Sequence, residues 1–246
     1  TSGSVNHLTG TFINAAAIIM GSLIGLLAGQ RIPEKTKQTL VSGLGLFTLV
    51  YGVFIFSQTK NMLIPLFSMV IGTILGELLK IEEGMNSLGE KVQAWTAKLN
   101  PGMSGDKQKF VTGFVSASLL FCIGPMAILG SLQDGVTGNY QMLAIKSLLD
   151  GITSIAFAST LGLGVIFSAF MVLIYQGAIS LLAGWIGSGF SEAIIAEMTA
   201  TGGIILAGIA INSLLAIKKI RIGSFLPALL IAILIVLALT RLGIAY

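Results

Sequence analysis

The chain has 246 residues, of which 54% are hydrophobic and 10% charged, with a net charge of +4, one histidine and one cysteine. A soluble domain carries about 25% charged residues, so a water-soluble fold is excluded, and the scarcity of cysteine and histidine excludes an internal disulfide, Ser-His triads and multi-cysteine metal sites. The positive charge does not point to nucleic acid, because the basic residues lie in short connections between apolar blocks rather than in one patch or arm.

The opening TSGSVNHL lacks the basic and apolar regions of a cleaved signal, and residues 1–8 read as an exposed tail. Apolar blocks follow at residues 10–30, 40–57, 61–80, 110–133, 142–160, 162–187, 193–217 and 222–240. Each is near the ~20 residues that cross a hydrocarbon core of ~30 Å. We therefore expect an all-α fold, a polytopic transmembrane helix bundle of about eight spans, forming one domain over residues 1–246.

Lys and Arg collect in cytoplasmic loops. Eight spans with both termini outside put Arg31, Lys35, Lys37, Lys80, Lys91, Lys98, Lys107, Lys109, Lys218, Lys219 and Arg221 on the inside, eleven of the fourteen basic residues. The long cytoplasmic connection 81–109 carries Met85, Leu88, Val92, Trp95 and Leu99 at 3-4-3-4 spacing, which predicts an amphipathic helix over 82–99 lying on the inner leaflet. Pro101–Gly105, PGMSG, ends it.

Small residues at helical spacing, Gly21, Gly25 and Gly29, then Gly72 and Gly76, then Gly177 and Gly184, form faces that admit close helix approach, within the chain or in a homo-oligomer. The likeness of MGSLIGLLAG (20–29) to IGTILGELLK (71–80) hints at internal duplication.

The fourth span, FVTGFVSASLLFCIGPMAILGSLQDG, contains Gly124-Pro125. Proline there cannot donate to the carbonyl of Phe121, so a continuous helix kinks or breaks. A half-helix restarting at Pro125 and Met126 would direct its positive N-terminal end into the protein, as in transporters built on discontinuous helices. Cys122, beside the break, reads as a packed thiol. Asp134 falls near the outer end of the span, as a cap or mouth, whereas Asp150 lies about two turns into the fifth. A charge at that depth costs ~2.5 kcal/mol or more and requires a partner; Lys146, four residues earlier, is the candidate. The seventh span opens EMTATGG with Glu197, Thr199 and Thr201 at similar depth, and the first contributes Thr11 and Asn14. Asn212, beside KKIR, reads as a capping residue.

The carboxylates favour a cation or proton and the half-helix end an anion, so the two hints agree only on an ion or small polar solute. The expected function is a secondary transporter or channel working at Gly124, Pro125, Met126, Asp134, Lys146, Asp150, Glu197, Thr199, Thr201, Thr11 and Asn14. No cofactor is implied, and the absence of GxxxxGK[ST] argues against an ATP-driven pump. A membrane scaffold or accessory subunit is the alternative. An intramembrane hydrolase pairing Asp134 with Asp150 ranks below both, because GxGD is missing, and the expectation is that the chain is not an enzyme.

CIGPMAILGSLQDG (122–135), SLLDG, AFAST, EMTATGG (197–203) and GTFIN resemble the YqgA/YdfK-like membrane proteins, domain-of-unknown-function family 554. The resemblance runs over residues 9–240 and implies a multi-pass bacterial inner-membrane protein, some members carrying a transporter label. Gly124, Pro125, Gln133, Asp134, Asp150, Glu197, Thr199 and Asn212 match its motif positions, without assigned roles.

Overall fold

The computed structural model describes residues 7–99, 106–186 and 191–244. Most of the expected tail and the PGMSG break lie outside the described residues. Among those described, every regular element is helical: α1 (Thr9–Gly29), α2 (Glu34–Phe56), α3 (Leu63–Leu78), α4 (Ile81–Leu99), α5 (Lys107–Cys122), α6 (Pro125–Thr137), α7 (Gln141–Leu161), α8 (Gly164–Ile186), α9 (Glu192–Ile209) and α10 (Pro227–Arg241), with a π-helical turn at Ala210–Leu214 and a 3-10 turn at Ile222–Phe225. Six helices are long and apolar enough to cross a bilayer, and two bent pairs bring the number of spans to as many as eight: Leu63–Leu78 with Ile81–Lys98 at 59°, and Lys107–Cys122 with Met126–Thr137 at 63°.

The burial pattern is that of helices dissolved in lipid. In α1 the buried face is mostly small or polar, with Gly10, Thr11, Asn14, Ala15, Gly21, Ser22, Gly25 and Gly29 beside a single large apolar residue, Ile18, while Phe12, Met20, Leu23, Ile24 and Leu27 point outward. Hydrocarbon gives large apolar side chains no reason to turn inward, so the interior is left to residues that pack closely or need polar partners.

The chain forms two compact units interleaved in sequence, Thr1–Val41 with Gly89–Gly189, and Ser42–Leu88 with Phe190–Tyr246. In the first, α1 runs parallel to α7. A Cβ at Gly21 would strike the carbonyl oxygen of Gly151, and one at Gly25 that of Ile155, so backbone rests directly on backbone. Helix α8 packs against α1, α5 and α6, and the Ser180 hydroxyl donates to the Ser131 carbonyl at 3.0 Å, fixing α6 on α8.

In the second unit α3 lies antiparallel to α10 and the 3-10 turn, with Gly72 on Ala228 and Gly76 on the Ser224 carbonyl. Arg221 bridges Glu77 at 2.6 Å and Glu83 at 2.5 Å. Fully buried Glu197 of α9 ties down the α2–α3 connection, accepting from Thr59 Oγ1 (2.5 Å) and from the backbone N–H groups of Lys60 (2.6 Å) and Asn61 (3.2 Å). Glu197→Ala leaves those donors without their acceptor, at a cost of ~1–3 kcal/mol for each one that stays buried. The amide protons of Lys60 and Asn61 should then exchange faster by hydrogen exchange while α7 is unaffected; unchanged protection would refute the latch.

The amphipathic helix is present as α4, but its stripe is divided. Met85 and Val92 are half-buried and Thr96 is buried, whereas Leu88 and Trp95 are exposed along the adjacent edge. Helix α2 begins at Glu34, before the apolar block at 40, because the polar segment EKTKQT is itself a good helix former.

Candidate functional site

The site is built around the interruption between α5 and α6. Helix α5 ends at Cys122 and Ile123 turns extended (ψ 126°). Gly124 follows at φ 139°, ψ 155°, a region essentially restricted to glycine, and Pro125 begins α6 with its fixed φ. Gly124 is buried, yet a Cβ built on it would meet nothing within 4 Å. Backbone conformation rather than crowding demands glycine here, and the break faces open space. Gly124 has no side chain with which to cap α6, and of the first N–H groups that of Ala127 bonds back to the Gly124 carbonyl at 3.3 Å.

Beside the break, α7 presents Lys146 and Asp150, both buried and joined as an i,i+4 ion pair. From α1, Asn14 Nδ2 donates to Asp150 Oδ2 at 3.0 Å and to Gln176 Oε1 of α8 at 3.3 Å. Cys122 lies within electrostatic range of Lys146 and Asp150, and Tyr175 within range of Cys122. Residues from α1, α5, α7 and α8 therefore converge where the fourth span is broken. Two members of the cluster are incompletely bonded: Asn14 Oδ1 and Gln176 Nε2 are buried without partners among the described residues. A buried polar atom left unpaired costs ~1–3 kcal/mol, so the cluster presents one free acceptor and one free donor beside a balanced ion pair.

The other anticipated site residues are distributed more widely than their shared depth suggests. Met126 is half-buried in the first turn of α6. Thr11, one turn before Asn14, is buried with Oγ1 unpartnered among the described residues. Asp134 is fully buried and serves as a cap, its Oδ2 accepting from the Gly10 N–H at 2.8 Å at the start of α1. Glu197, Thr199 and Thr201 belong to the second unit. There Glu197 is the latch described above, Thr201 Oγ1 donates to the Glu197 carbonyl at 2.8 Å, and Thr199 Oγ1 has no partner among the described residues. Asn212 is a cap, its Oδ1 accepting from the Ile220 N–H at 3.0 Å.

Sequence reasoning missed Gln176. The available signal for Gln176 was a carboxamide in the middle of a 23-residue apolar helix, a costly choice in hydrocarbon unless the amide is used. No group of three His, Cys, Asp or Glu suited to a metal ion occurs among the described residues.

The family described as a protein of unknown function (DUF554) matches residues 9–237. The chain is 31% identical over 241 residues to the uncharacterized membrane protein YdfK of Bacillus subtilis (strain 168), covering 96% of this chain and 99% of that one. It is 30% identical over 225 residues to the uncharacterized protein YqgA of Escherichia coli (strain K12), covering 91% and 94%. No solved structure matches. With a family match over almost its whole length and a set of bilayer-length apolar helices, this chain is a helical membrane protein belonging to the DUF554 family.

Proposed function

We propose that the protein is a secondary transporter or channel for an ion or small polar solute, with its binding site formed by Asn14, Lys146, Asp150 and Gln176 beside the Gly124-Pro125 break. The observation that carries this reading is the pair of unpartnered polar atoms, Asn14 Oδ1 and Gln176 Nε2, next to a buried ion pair and an uncapped half-helix. Ionisable groups at membrane depth are costly, and they mark solute pathways or proton relays. A solute with one donor and one acceptor would satisfy both open groups, and the start of α6 would favour a negative group on it.

The distribution of Lys and Arg supports a bacterial inner-membrane location with both termini outside. Transport is favoured over hydrolysis because Asp134 Oδ2 is engaged at the start of α1, which speaks against a free carboxylate dyad with Asp150. Gly21, Gly25, Gly72 and Gly76 pack within their own units, so self-association does not rest on them.

Uptake into proteoliposomes across a panel of small polar solutes and ions tests the proposal. Asp150→Asn and Gln176→Leu should each reduce the flux of the active solute about tenfold or more, the loss of about one well-made polar contact to a charged group. A panel in which no solute distinguishes these variants from the parent protein would refute the site.

A further inference from the structure

A second polar site lies at the other end of the first unit, where α1 and α7 terminate. An open pocket of about 370 Å³ is lined by residues including Gln30, Lys37, Lys109, Ser159, Thr160 and Leu163. It is at the lower end of the ~300–1,000 Å³ range of small-molecule sites, so it accommodates a headgroup rather than an acyl chain. Helix α1 has 21 residues, and at 1.5 Å per residue it traverses the whole ~30 Å hydrocarbon core. A pocket at its C-terminal end is therefore at headgroup level.

The lining has a definite chemistry. No carboxylate among the described residues belongs to it. Lys37 has one acidic neighbour, Glu34, 3.6 Å away one turn back on the same helix and largely exposed, an arrangement that neutralises little. Lys109 makes no ion pair among the described residues, since its recorded bond is from the backbone N–H to Asp106. The Leu163 N–H, just ahead of α8, makes no hydrogen bond among the described residues. Ser159 and Thr160 donate their hydroxyl protons to the carbonyls of Ala156 and Phe157, which leaves their oxygens as acceptors. The pocket thus offers two lysines and the amide of Gln30 to an anion, and two hydroxyl oxygens to a ligand that carries O–H groups.

We propose that this pocket binds a phosphodiester or phosphate-ester anion bearing hydroxyl groups, the chemistry of a glycerol-type phospholipid headgroup. Basic pockets between helices at the membrane surface take anionic headgroups in this way. Phosphatidylcholine is a poor fit, because its phosphate carries its own cation and its headgroup has no hydroxyl to give. The same chemistry exists in a soluble form as glycerol phosphate, and the two sources are separable by experiment. The inference is independent of the transport reading, because its test measures binding and not flux.

Native mass spectrometry of the full-length protein in detergent, titrated separately with phosphatidylglycerol, phosphatidylcholine and glycerol 3-phosphate, provides that test. Phosphatidylglycerol should bind about tenfold or more tightly than phosphatidylcholine, as two nearby lysines warrant. The preference should disappear in Lys37→Gln/Lys109→Gln, return in Lys37→Arg/Lys109→Arg, and be unchanged in the α4 surface variant Lys91→Gln/Lys98→Gln. Should the double variant fail to fold, Lys37→Gln and Lys109→Gln singly should each weaken the preference. Lysine-dependent binding of glycerol 3-phosphate without a lipid preference would uphold the pocket and assign it a soluble ligand. A preference that survives loss of both lysines, or that falls equally in the α4 variant, overturns the proposal.

Discussion

Asp150→Ala should lower the stability of the folded protein by about 3–5 kcal/mol, the cost of stranding a buried partner charge, seen as an apparent melting shift of about 6–20 °C for a chain of this size. Lys146 is buried to within a few per cent of its surface and has Asp150 as its ion-pair partner on the same helix. Removing the carboxylate leaves an ammonium group among apolar helices. It also removes the acceptor for Asn14 Nδ2 at 3.0 Å. Lys146→Ala strands the opposite charge and should cost a similar amount. The informative measurement is the double variant Lys146→Met/Asp150→Leu. Replacing both ions by apolar side chains of similar volume removes the desolvation cost together with the attraction, so its loss should be far smaller than the sum of the single losses. Thermal unfolding in detergent compares the four proteins. Additive losses would show that the two residues act through separate contacts and would dissolve the pair as a unit. If the double variant folds well but fails to transport in the proteoliposome assay, the pair is retained for function rather than stability.

The second large effect concerns the α1–α7 seam. Gly25→Leu should abolish recovery of folded protein, and Gly25→Ala should already cost ~1–3 kcal/mol, the range for overpacking a tight contact. The first added carbon would fall on the carbonyl oxygen, carbonyl carbon and Cα of Ile155, all backbone atoms of a helix that cannot give locally. Gly43 is the matched control. It lies within α2, and a Cβ there meets nothing within 4 Å. Gly43→Ala should therefore be neutral or gain up to ~1 kcal/mol from reduced chain entropy. Size-exclusion profiles and melting temperatures of the three variants decide the matter; equal tolerance at positions 25 and 43 would contradict the packing.

Much of this architecture was legible because the bilayer limits the choices. Apolar runs of bilayer length, the Gly124-Pro125 interruption and the i,i+4 pair Lys146–Asp150 all follow from local rules of length, backbone chemistry and charge burial. The division into two units did not, because depth along a helix can be read from sequence whereas azimuth cannot. Asn14 and Glu197 looked equivalent by depth, yet Asn14 bonds to Asp150 and Glu197 bonds to the 59–61 connection. Asp134 shows the same limit: its sequence position suggested a cap or mouth without naming what it would cap, and that partner is the start of α1, 124 residues away in sequence. Gln176 escaped notice because one amide in an apolar helix carries no period, and its significance appears only through the 3.3 Å contact with Asn14.

The glycine contacts of α1 on α7 also constrain what can move. Gly21, Gly25 and Gly29 meet Gly151, Ile155 and Ser159 at intervals of four residues, so the two helices interlock as a rack rather than as a smooth rail. A slide of less than a full turn would drive α1 Cα atoms into α7 carbonyls, and a full turn would tear Asn14 from Asp150. Asn14, Lys146 and Asp150 therefore ride on one stationary girder, while Gln176 reaches them from α8. The Asn14–Gln176 hydrogen bond at 3.3 Å is thus the polar link that ties α8 to that girder at the cluster.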